Sequence, residues 1–157
     1  MKIMKTQLVF PIFIFVPKDN MPYIFWEEKL YKTTNTLLIK KWKKNSIIID
    51  SSGLKYIEKG IFMTGWRGIY GYFTSMKGRV IAVDYEYDEN IEKVSLRNLQ
   101  EIILERFPKS RWFHSHCWKN IEDFKETLFS CTSFEEIAQL FVRKPSNNFL
   151  TRIFKGY

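Results

Sequence analysis

Two cysteines and two histidines among 157 residues leave little material for thiol or metal chemistry. Cys117 and Cys131 are too few for a disulfide framework or a four-thiolate zinc site, and they read as reduced thiols in a cytoplasmic protein. Seven glycines and five prolines cannot supply a long linker, so residues 1–157 are expected to form a single domain. Long apolar runs are missing too. Leu8 to Val16, preceded by Lys2 and Lys5, imitates the start of a signal peptide, but Pro17-Lys18-Asp19-Asn20 follows without a small-residue cleavage site. A bilayer span takes about 20 apolar residues, which this run does not reach. Its β-branched and aromatic content fits a buried strand interrupted at Pro11, and no membrane partner is expected.

Aromatic residues are plentiful at 17%, in a chain that is 45% hydrophobic, which supplies the apolar surface a folded core requires. Positive charge is also in excess, with a net charge of +8, but it is unevenly spread. Residues 1–64 carry eleven lysines against five acids, and residues 109–157 carry eight basic groups against five acids. Between them, residues 65–108 carry six basic groups and seven acids. A basic chain attracts nucleic acid, anionic lipid or acidic protein, although a Lys-rich composition can also be mere solvation.

The acids of that middle section cluster in Asp84-Tyr85-Glu86-Tyr87-Asp88-Glu89, directly after Val80-Ile81-Ala82-Val83. Strand alternation would put Asp84, Glu86 and Asp88 on one face, with Ile81, Val83, Tyr85 and Tyr87 on the other. Like charges so close repel, which favours either basic neighbours in the same chain or a positive partner.

The periodicities predict an α+β fold, an antiparallel β-sheet with two to three C-terminal helices packed on one face. A short helix is expected over Tyr23 to Lys32. Strands are expected at Thr36 to Lys43, Ser46 to Asp50, Leu54 to Ile57, Ile61 to Thr64 and Arg111 to Cys117. Asp50-Ser51-Ser52-Gly53 is a turn, and Gly68 to Thr74 with Arg79 to Asp88 reads as a hairpin closed by Ser75-Met76-Lys77-Gly78. Ser95 is placed to cap a helix that Pro108 ends. Ile121 to Phe129 forms a second helix, and Ser133 to Glu136 is a capping box that starts a third. The tail Arg143 to Tyr157 holds four basic residues and no acid, and is expected to dock on the domain.

No motif specifies a reaction, so no enzyme, cofactor or metal is expected. In Trp112-Phe113-His114-Ser115-His116-Cys117-Trp118, the two imidazoles would share a strand face with no third ligand and with Cys117 turned away. Gly65-Trp66-Arg67-Gly68 lacks the Gly-Lys-Ser/Thr ending of a phosphate loop and precedes a strand. Trp66 and Arg67 instead have the composition of an interface anchor. Lys40-Lys41-Trp42-Lys43-Lys44 alternates phosphate-neutralising and base-stacking groups, and reads either as a nucleic-acid contact or as a lysine-protected edge strand.

From Ile61 to Val142 the succession of aromatic hairpin, charged strand, Ser95-Leu96-Arg97-Asn98-Leu99 and Thr132-Ser133-Phe134-Glu135-Glu136-Ile137 resembles bacterial immunity proteins. These are the small cytoplasmic partners of polymorphic toxins, contact-dependent growth-inhibition toxins included. The resemblance implies neutralisation of a cognate toxin, such as a nuclease, by stoichiometric binding and without catalysis. The expected contacts are Asp84, Glu86, Asp88 and Glu89, with Trp66, Arg67, Tyr85 and Tyr87 beside them. The net positive charge departs from the acidic inhibitors that block basic nucleases, and admits an acidic toxin held by the lysine-rich face. The alternative function is nucleic-acid binding through Lys40, Lys41, Trp42, Lys43 and Lys44.

Overall fold

The computed structural model describes residues 7–66, 80–113, 118 and 120–142. Ile12–Phe15 forms β1, a run buried at every position because apolar material covers both its faces. Pro22–Phe25 (β2) and Ile47–Ile49 (β4) pair antiparallel on its two sides. Beyond β4 comes the long strand β5, Leu54–Trp66, and then β6, Val80–Tyr87. Thr33–Asn35 (β3) closes the far edge against β6, and Glu92–Lys93 (β7) pairs with the start of β5. The resulting order is β2-β1-β4-β5-β6-β3. One turn of helix, Glu28–Tyr31 (α1), precedes β3. After β7 come Leu96–Arg106 (α2), Ile121–Ser130 (α3) and Phe134–Gln139 (α4). The α+β expectation is met, with an antiparallel sheet and C-terminal helices on one face.

Alternation along β1 and β4 splits the interior in two. Phe13, Phe15 and Ile49 face the helices and pack with Leu99, Ile103, Phe107, Phe124, Leu128 and Ile137. Ile12, Ile14 and Ile48 face the opposite way and pack with Tyr31 and Tyr56, against which Tyr85 and Tyr87 lie. β5 can serve both halves because it carries register shifts between Glu58 and Gly60 and between Met63 and Gly65, and such bulges bend a strand.

Local chemistry sets the boundaries. Ser95 Oγ accepts from the Asn98 N–H, Asn120 Oδ1 from the Asp123 N–H and Ser133 Oγ from the Glu136 N–H, each satisfying an orphan donor of a first helical turn. The Glu136 carboxylate reaches the Thr132 N–H, one residue ahead of the position a capping box uses. Asp50 Oδ1 accepts from the Ser52 and Leu54 N–H groups, closing the turn to Gly53. Gly53 has φ +83°, and a Cβ there would stand 2.8 Å from the Val94 carbonyl oxygen, so only glycine fits.

Several expectations need correction. Tyr23 to Lys32 is not one helix: Pro22–Phe25 is claimed by the open edge of β1, leaving only the turn α1. Thr36 to Lys43 is not a strand, because Asn35 Oδ1 accepts from both the Leu37 and Leu38 N–H groups and folds the chain into a turn, followed by a 3₁₀ turn at Ile39–Lys41. Leu54 to Ile57 and Ile61 to Thr64 are one bulged strand. Arg111 to Phe113 is a turn held by Ser110, whose Oγ accepts from the Trp112 N–H. α2 packs on Phe13, Phe15 and Ile49, whereas Ile81 and Val83 belong to the part of the sheet formed by β3, β5 and β6. The first arm of the expected hairpin (Gly68 to Thr74), its loop, His114, His116, Cys117 and the tail Arg143 to Tyr157 lie outside the described residues.

Candidate functional site

β6 shows the alternation its sequence implies. Ile81 and Val83 are buried and Tyr85 and Tyr87 turn inward, while Asp84 and Glu86 take the outer face. Lysines of the same chain already meet part of this charge. Lys32 lies 3.4 Å from Asp84 and 2.8 Å from Glu28, and Lys59 lies 3.6 Å from Asp88. Burial acts to lower the pKa of the Lys32 ammonium, but Glu28 and Asp84 outweigh it and the net shift is upward. Glu86 and Glu89 are exposed and have no cationic side chain within 4.0 Å among the described residues.

Next to these acids, the far half of β5 exposes apolar surface. Phe62 is 45% exposed and is paired in register with Asp84, so the ring and the carboxylate stand side by side on the outer face. Met63 and Trp66 are exposed to a similar degree. The outer face thus combines Phe62, Asp84 and Glu86, whereas Met63 and Trp66 pair in register with Val83 and Ile81 and so lie on the opposite face, and Arg67 lies outside the described residues.

Tyr85 and Tyr87, expected as partner contacts, are withdrawn from that face. Tyr85 stacks on Tyr31 with ring centroids 4.5 Å apart, and its hydroxyl donates to the Tyr31 carbonyl oxygen. The Tyr87 hydroxyl is 2.9 Å from that of Tyr31. Burial pushes both phenols well above their ordinary pKa, so both stay protonated.

At the centre of the tyrosines sits a carboxylate that the sequence reading passed over. Glu58 is 3% exposed, held by β5 in register with Tyr87. Its Oε1 accepts from the Tyr31 hydroxyl at 2.8 Å, and its Oε2 accepts from the Trp42 indole N–H at 3.0 Å. Because Tyr31 spends its proton on Glu58, Tyr87 donates to Tyr31, and the donors run as a chain toward one acid. Burial raises the Glu58 pKa, opposed by the hydrogen bonds from Tyr31 and Trp42. A sequence signal existed: Leu54, Tyr56 and Glu58 are in phase along β5, and the first two join the apolar face.

That network fixes the lysine segment. Trp42 is half-buried with its N–H on Glu58, so it is not the free stacking platform expected of it. Lys40, Lys41, Lys43 and Lys44 are all exposed around it on a turn, not on an edge strand.

Burial, then the Glu136 carboxylate, push the Cys131 thiol up in pKa, opposite to the shift an activated nucleophile needs. Among the described residues no three His, Cys, Asp or Glu side chains converge as a metal site, and no helix is long and apolar enough to cross a membrane. No protein-family model, curated protein or solved structure matches the chain.

Proposed function

We propose that this chain is a binding protein that neutralises a cognate bacterial toxin by forming a stoichiometric complex, without catalysis, and that the outer face of β5 and β6 meets the toxin. The observation that carries the reading is the pairing of exposed Phe62 with Asp84, flanked on the same face by exposed Glu86. An exposed ring beside Glu86, a carboxylate with no cationic neighbour among the described residues, is what a partner with a basic groove requires: the ring supplies desolvated area and the acid supplies charge complementarity. The apolar contribution therefore comes from Phe62, not from Tyr85 or Tyr87.

The test is to express the product of the adjacent gene alone and together with this chain. Growth arrest relieved by coexpression, with a one-to-one complex on purification, supports the proposal. Phe62→Ser with Glu86→Lys should then weaken the complex by several kcal/mol if those groups are buried in it. Absence of any toxic or co-purifying neighbour removes the reading, whereas unchanged affinity in the double variant moves the interface elsewhere.

A further inference from the structure

The segment from Leu37 to Lys44 is built to be displayed. At its start, the Leu37 and Leu38 N–H groups both donate to Asn35 Oδ1, at 3.0 and 2.8 Å, which locks the turn while leaving the two leucine side chains 48% and 53% exposed. At its other end, Trp42 is tied to Glu58, and Ser46 Oγ donates to the Lys43 carbonyl oxygen. Between and beyond these anchors stand Lys40, Lys41, Lys43 and Lys44, all exposed, none within 4.0 Å of a carboxylate among the described residues. No acidic residue occurs anywhere from Thr33 to Ile49.

We propose that this turn docks the protein on an anionic lipid surface, its lysines meeting headgroup phosphates while Leu37 and Leu38 enter the acyl boundary. The chemistry on display selects this partner. A single-stranded nucleic acid needs ring faces for its bases, and the one ring in the segment is turned inward onto Glu58. A protein partner is gripped best by aromatic or arginine anchors, and the exposed side chains here are leucines and lysines. A bilayer asks only for diffuse positive charge and aliphatic groups at the right height. Docking of this kind is peripheral and needs no spanning segment.

Sedimentation with vesicles tests it, using the full chain and vesicles of phosphatidylglycerol mixed with phosphatidylcholine, with pure phosphatidylcholine as the neutral control. Binding to the anionic vesicles alone is expected, falling away as salt rises from ~0.05 M to ~0.5 M. Each lysine near such a surface strengthens partitioning about fivefold, so Lys40→Gln with Lys41→Gln should weaken it ~25-fold. Leu37→Ser with Leu38→Ser should weaken it by about tenfold or more. The same charge loss placed elsewhere, Lys93→Gln with Lys125→Gln, should leave most of the binding intact. All these positions are exposed, and thermal melts verify that the variants are folded. No sedimentation with anionic vesicles at low salt overturns the proposal, as does equal loss in the Lys93/Lys125 control. Unchanged binding by the leucine variant, with a single-stranded oligonucleotide displacing the vesicles, overturns it in favour of nucleic acid.

Discussion

The indole N–H of Trp42 donates to Glu58 Oε2 at 3.0 Å, joining an otherwise exposed lysine turn to a carboxylate that is almost wholly enclosed. Glu58 also binds the turn's end through its main chain, accepting from the Asn45 N–H and donating to the Ser46 carbonyl oxygen, each at 2.9 Å. Side chain and backbone of one β5 residue therefore anchor the end of the lysine turn.

Trp42→Phe keeps a ring and removes the donor, leaving Glu58 Oε2 short of a partner inside the protein. A buried acceptor left unsatisfied costs roughly 1–3 kcal/mol, and denaturant unfolding should read a loss of that size. The turn should also loosen, so limited trypsin digestion at Lys40 to Lys44 should accelerate more than cleavage elsewhere.

Glu58 gives stability a pH dependence of determinable sign. Its pKa is raised in the folded protein, so the native state holds the proton more tightly than the unfolded chain. Its contribution is then fully present below the unfolded value, near the ordinary 4.5, and is lost as pH rises through the folded one. Relative to Glu58→Gln, the wild type should therefore lose stability across that window as pH increases. Matched chemical denaturation of the two proteins from acid to neutral pH checks it, and a difference that is flat or opposite in slope would refute the shift.

Gly53→Ala should destabilise by more than the ~1 kcal/mol that glycine-to-alanine changes usually involve, because φ is +83° and the new methyl would meet the Val94 carbonyl oxygen at 2.8 Å. The loss should appear in the thermal midpoint. The Val94 N–H, which donates to the Gly53 carbonyl oxygen at 2.7 Å, should exchange faster with solvent.

Leu99→Ala should cost about 2–5 kcal/mol, since Leu99 is fully buried between α2 and the sheet. Arg97 and Glu101 form an exposed i,i+4 pair at 3.3 Å, and losing either partner should cost under ~1 kcal/mol. Equilibrium unfolding of the three variants distinguishes the buried face from the exposed one.

What was legible from residue order was whatever neighbours in the chain decide. Ser95, Asn120 and Ser133 meet N–H groups three residues on, Asp50 closes its turn within four residues, and β6 alternates as its acids and tyrosines imply. These bonds form wherever the local backbone goes. Long-range contacts settled the rest. Pro22–Phe25 became a strand because β1 had an open edge, overriding a helical spacing of aromatics. Glu58 looks like one more surface acid beside Lys59. It is enclosed because Tyr31 lies 27 positions away and Trp42 16 positions away, and only the bend of β5 brings both to its carboxylate. Burial of a charge depends on which donors reach it, and donors so far apart in the chain meet only when the sheet curls.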